Sequence, residues 1–302
     1  MRPGQDVTTL IVEAVVLTAT VTVVPWGLAR LTALPGEDPP DPLLRVVRPL
    51  LRVAPLAAGV GLALPHSPLA LLLVVPWIAA TALIALSGAR RFVTRKRRTI
   101  ATTAGDLARA YVPVGAAWLG AYAGDLQVMQ FHGLQCLLTA AHFHYAGFGA
   151  CAVTALVGHS LDESPTPAWV RALYSVAAVG MMAGIALLAA GITASRALEH
   201  LAGWEVAACT AVMGALLLRR ATLPARPLAR GLFALSGAAT ALSSALAFDF
   251  ARSGFARLGA HTLERMVRYH GLVNAFGFVG CALVAFTLSA PRASTPPPRP
   301  PP

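Results

Sequence analysis

LTAAHFHYAGF, residues Leu138 to Phe148, sets two imidazoles inside an apolar segment that runs from about 127 to 158. That segment exceeds the ~20 residues that cross a bilayer core. An ionisable side chain at bilayer depth is costly, so it marks a functional site by default. Outward from this stretch the same apolar texture recurs along the chain. Of 302 residues, 56% are hydrophobic and only 12% charged, where a soluble domain carries about a quarter charged. The short alternating segments of a β-barrel are not visible. The fold class that follows is all-α, a polytopic transmembrane helix bundle of about nine spans with no soluble domain.

Proline and charge place the breaks. The first span, 7–34, is kinked at Pro25, carries Glu13, and reads as a retained span rather than a cleaved signal peptide. PGEDPPDP ends it; spans at 47–64 and 68–88 follow, separated by the turn PHSP with His66. After RRFVTRKRR come spans at 105–123, 127–158, 169–192, 198–218, 227–249 and 262–289. Residues 1–289 thus form the membrane domain, and 290–302, rich in proline, are expected to be a disordered tail.

The net charge of +11 would suggest nucleic acid in a soluble chain. Here the basic run holds a single Phe, so a nucleic-acid partner is not expected. The arginines read instead as topogenic and as facing anionic membrane lipid. An outside N-terminus puts 18 of the 24 basic residues on the inner face. The expectation is a multi-pass cell-membrane protein with its N-terminus outside and its C-terminus cytoplasmic. Four of the six outer arginines, among them Arg265 and Arg268, crowd the connection before the last span. Cys136, Cys151, Cys209 and Cys281 lie in apolar segments without a C-x-x-C pair, which argues against a disulfide framework or a zinc site. Nothing in the sequence fixes an oligomeric state.

On a regular helix His132, Gln135, Thr139 and His142 fall on one polar stripe about 80° wide, and His144 points nearly the other way. His142 and His144 cannot ligate one metal from such a helix; a π-bulge near this glycine-containing turn would change that. The last span repeats the theme, with His270, Asn274 and Gly277 at i, i+4 and i+7. Glu13, Glu205, Asp249 and the run Ser236, Thr240, Ser243, Ser244 are the other polar groups at membrane depth. Serine and threonine in spans are usually interhelical contacts or bonded back to their own helix. Together these residues suggest one outward-opening polar cavity.

GAAWL (Gly115 to Leu119), LTAAHFHYAGF and YHGLVNAFGF, with PWGL closing the first span, resemble the YndJ-like family of bacterial integral membrane proteins. The likeness runs from the first span to the last, and its two histidine motifs are the specific part. The matching positions are His142, His144, Tyr145, Gly147, Phe148, His270, Gly271, Asn274 and Gly277. The resemblance implies a polytopic membrane protein; members are sometimes labelled transporters.

Three chemistries suit these residues. In the first, His142 or His144 pairs with His270 as ligands of a transition metal or haem, or as acid–base groups, in an enzyme acting on a lipophilic small molecule. Asn274, Gln135, Tyr145 and Glu13 would orient the rings, with His132 beside them. The second is metal-free cyclisation or isomerisation of an isoprenoid-like substrate, with Glu13 and Asp249 as acids and Tyr145, Trp118 and Phe276 as aromatic walls. The third is a proton-coupled carrier with Glu13, Glu205 and histidine as relay. The first reading requires the spans bearing His142 and His270 to be neighbours.

Overall fold

Nine helices joined by short connections make up the described part of the computed structural model, residues 6–34, 41–253 and 260–289. They are α1 (Val7–Thr32), α2 (Pro42–Ala63), α3 (Pro68–Thr94), α4 (Ile100–Ala123), α5 (Leu134–Asp162), α6 (Ala168–Ala194), α7 (Arg196–Thr222), α8 (Pro227–Ser253) and α9 (Thr262–Ser289). Eight are long and apolar enough to cross a membrane. The ninth, α4, has 24 residues, about 36 Å at 1.5 Å per residue, but carries Asp106 and Arg109. The expected all-α bundle is present. The Pro-rich tail and most of the PGEDPPDP linker lie outside the described residues.

Local chemistry starts these helices where it should. Asp6 accepts the Thr9 amide at 2.6 Å, Ser67 accepts that of Ala70, and Thr99 with Thr102 closes a reciprocal capping box. Pro42 and Pro68 occupy first-turn positions where their missing N–H costs nothing. Pro25 lies inside α1, where its ring would press on the carbonyl one turn back. The chain answers by widening residues 19–23 into π turns, so that the Val24 amide reaches Ala19.

α5 is the central post. In its most apolar window 78% of residues are buried within the bundle, against 33–44% in the other seven helices of membrane-crossing character. Its residues therefore meet protein on all sides, while the outer helices give one face to lipid. α5 starts at Leu134 rather than near 127, because Asp125 and Met129 turn the chain at positive φ and Gly133, at φ 52°, precedes the first helical turn. This moves His132 off the helix.

A second correction concerns the basic run. α3 continues through it to Thr94, and Arg91 and Arg95 turn inward instead of facing lipid. With Arg109 they surround Asp106, at 3.6, 3.4 and 3.1 Å respectively. A carboxylate this deep holds its charge only because the guanidiniums are there, so the cluster fastens α3 to α4.

Candidate functional site

His144 and His142, two residues apart, have opposite fates. His144 is fully buried. Its Nε2 accepts the indole N–H of Trp77 at 3.1 Å, and the two rings stack at 5.9 Å with 14° between their planes. Indole only donates, so Nε2 is unprotonated and Nδ1–H must donate to the Ala140 carbonyl, 2.7 Å away. Both nitrogens are thus engaged in one neutral tautomer. Gly115 of the GAAWL stretch makes the room: a Cβ there would lie 2.6 Å from His144 Nδ1. PWGL works in the same way, since a Cβ at Gly27 would lie 2.7 Å from the Phe148 ring. These motifs pack against one another.

His142 looks the other way, into a cavity of about 570 Å³ bounded by α1, α4, α5, α6, α7, α8 and α9. The space runs from Met129 and Phe131 in the α4–α5 connection down to Phe278 and Val279 in α9, and its walls are mostly apolar. That corrects the expected polar cavity: polar groups contributed by α5 to α9, such as His142, Glu199, Ser244 and His270, interrupt a lining that is otherwise apolar. Residues 143–150 of α5 and 266–271 and 273–280 of α9 are π-helical. The widened turns face each other where Gly149 meets Val279, at 2.8 Å from an added Cβ to the valine methyl. α5 and α9 are therefore neighbours, as the pairing of His142 with His270 requires. Gly147 packs on Tyr111 and Gly277 on Ala239.

His270 also lines the cavity, and it closes a ring of hydrogen bonds with α8. Its Nδ1 lies 3.0 Å from the Ser243 carbonyl, Ser243 Oγ donates to Asn274 Oδ1 at 2.8 Å, and Asn274 Nδ2 lies 3.2 Å from His270 Nε2. The consistent assignment is Nδ1–H donating to Ser243, with the Asn274 amide lying across the ring at 3.4 Å from Nδ1 and 3.2 Å from Nε2. Trp77 is a partner absent from the sequence reading, and Ser243 entered it only as one of the polar groups at membrane depth. The polar run on α8 was the signal for Ser243; a tryptophan in α3, 67 residues from its histidine, offered none.

His142 shares the cavity wall with His270 and touches Phe143 edge to face. Among the described residues its ring has no hydrogen bond, so it is the imidazole available to a guest. Tyr145 lines the cavity with its hydroxyl tied to the Val15 carbonyl. The other candidates lie elsewhere. His132 is 59% exposed and pairs with Asp125 at 3.1 Å, and Gln135 is not part of the wall. Glu13 accepts from Tyr122 at 2.7 Å. Asp249 and Phe276 point out of the bundle. Glu205 sits between α6 and α7 against Gly180 and Gly184. The acids assigned to isoprenoid chemistry and the expected carrier relay are thus not assembled around one space.

The donor set does not fit a transition metal or haem. No three His, Cys, Asp or Glu side chains among the described residues could hold a metal ion. Both nitrogens of His144 and of His270 are already engaged, which leaves one free imidazole.

Fold and cavity together define an integral membrane protein of the polytopic α-helical class. The chain belongs to the YndJ-like family, whose model, described as YndJ-like protein, matches residues 14–278. The uncharacterized membrane protein YndJ of Bacillus subtilis (strain 168) is 31% identical over 178 residues, which are 59% of this chain and 31% of that protein. The matched part is thus about a third of that relative's length. No solved structure matches.

Proposed function

We propose that this membrane protein binds a lipid-soluble small molecule in the cavity, and that His142 meets its polar group and exchanges a proton with it. The observation that carries this is a mostly apolar space of about 570 Å³ with one hydrogen-bonding imidazole still unengaged in its wall. Pockets of roughly 300–1,000 Å³ suit small ligands, with a few polar groups setting orientation. The other titratable groups of the wall are committed: His270 in its ring with Ser243 and Asn274, and Glu199 in a contact of its own. Proton exchange by an imidazole needs no bound cofactor.

Orientation completes the reading: the N-terminus lies outside and the C-terminus in the cytoplasm, because 15 basic residues, with the three around Asp106 set aside, then lie on the inner side against 6 on the outer. The cavity lies toward the end of the bundle where α1, α5 and α9 begin, and so opens outward.

The test is photolabelling of the purified protein with a diazirine-bearing long-chain alcohol, mapped by mass spectrometry. Adducts are expected on the cavity walls of α5, α8 and α9, with labelling reduced about tenfold in His142→Leu through the lost hydrogen bond. Adducts confined to lipid-facing residues such as Leu72 and Val176, which are 63% and 72% exposed, would overturn the proposal.

A further inference from the structure

We infer that the ligand is an uncharged lipid bearing a hydroxyl or carbonyl group, and that Ser244, together with His142, selects it. This rests on the cavity reading above and narrows it to one chemical class.

Ser244 is 3% exposed, lines the cavity, and its hydroxyl has no hydrogen-bond partner. Its neighbours in the α8 polar run are all engaged: Ser236 with the Phe278 carbonyl, Thr240 with that of Ser236, and Ser243 with Asn274. A serine in a helix ordinarily returns its hydrogen bond to a carbonyl one turn back. Ser244 does not, although a buried hydroxyl left unsatisfied is destabilising. Ser244 borders the cavity, and its covered hydroxyl lacks the partner that a ligand group there would supply.

The charge of that group follows from the rest of the wall, which contains no lysine or arginine. His142, Ser244 and His270 each lie eight or nine residues from the near end of their helix. That depth is about 12 Å at 1.5 Å per residue. A phosphate or carboxylate held there without a cation would bear a heavy desolvation penalty. A carbonyl can accept from both Ser244 and the His142 N–H, and a hydroxyl can donate to one and accept from the other. Either leaves the remaining apolar volume for a hydrocarbon tail.

The experiment compares geranylgeraniol with geranylgeranyl monophosphate, which share a tail and differ in head group. Equilibrium binding to the protein in phosphatidylcholine nanodiscs is measured for the unaltered protein and for Ser244→Ala and His142→Leu, with the thermal midpoint of each recorded without ligand. The inference expects the alcohol to bind at least tenfold more tightly than the monophosphate. It expects Ser244→Ala to weaken alcohol binding about tenfold while leaving the midpoint unchanged or raised. A lowered midpoint with unchanged alcohol affinity would assign Ser244 a structural role and overturn the inference. Tighter binding of the monophosphate, sensitive to His142→Leu, would overturn it while leaving the cavity as a lipid site. Saturable binding of neither probe would overturn both.

Discussion

At the residue scale the two histidines of HFHY separate support from function, and they do so measurably. Replacing His144 with leucine removes the acceptor of the Trp77 indole and leaves that N–H buried. An orphaned donor in a packed interior, with the loss of the Ala140 bond, costs about 2–4 kcal/mol. His142→Leu removes no hydrogen bond within the described residues and should change stability by less than about 1 kcal/mol while ligand labelling falls. Denaturant unfolding of both variants in one detergent checks this; equal losses would mean that His142 is as structural as His144. The helical spacing showed that the rings point apart. Which one would be free was not legible, because Trp77 and Gly115, the residues that engage His144, lie far away in the chain and carry no sign of their partner.

At the element scale the breaks marked by proline and charge were legible, but α2, α4 and α5 start five to seven residues from where the apolar runs put them. The interior geometry was named only as a π-bulge that α5 would need. Pro25 announces the π turns of α1, but α5 and α9 contain no proline and still widen into π turns beside the cavity. Those turns settle which side chains face the cavity, and they arise from packing between helices. The α6–α7 contact shows the same dependence. Glu205 lies against Gly180 and Gly184, and an added Cβ at either position would collide with its carboxyl group. Gly184→Ala should therefore destabilise the pair by about 1–3 kcal/mol. Glu205→Ala in the same chain should restore part of that loss, with an interaction energy of about 0.5–3 kcal/mol in a double-mutant cycle. Strict additivity of the two changes would show that the glycine accommodates something other than the carboxyl.

At the scale of the whole molecule, two ends of one bundle carry different physics. The end where α5 and α9 begin holds the cavity; the opposite end of α3 and α4 holds Asp106 within its three arginines. From the sequence Arg91, Arg95 and Arg109 read as topogenic charges, whereas they serve internal pairing. Setting those three aside still leaves 15 basic residues against 6, so the charge bias survives the correction. Gln127 lies in the α4–α5 connection at the cavity end, Arg97 between α3 and α4 at the other, and both are exposed. The four native cysteines are buried or half-buried, so background labelling is low. In intact cells a membrane-impermeant maleimide should label Gln127→Cys directly and Arg97→Cys only after permeabilisation. The reverse pattern would place the cavity on the cytoplasmic side, and any lipid that reaches His142 would then enter from the inner leaflet.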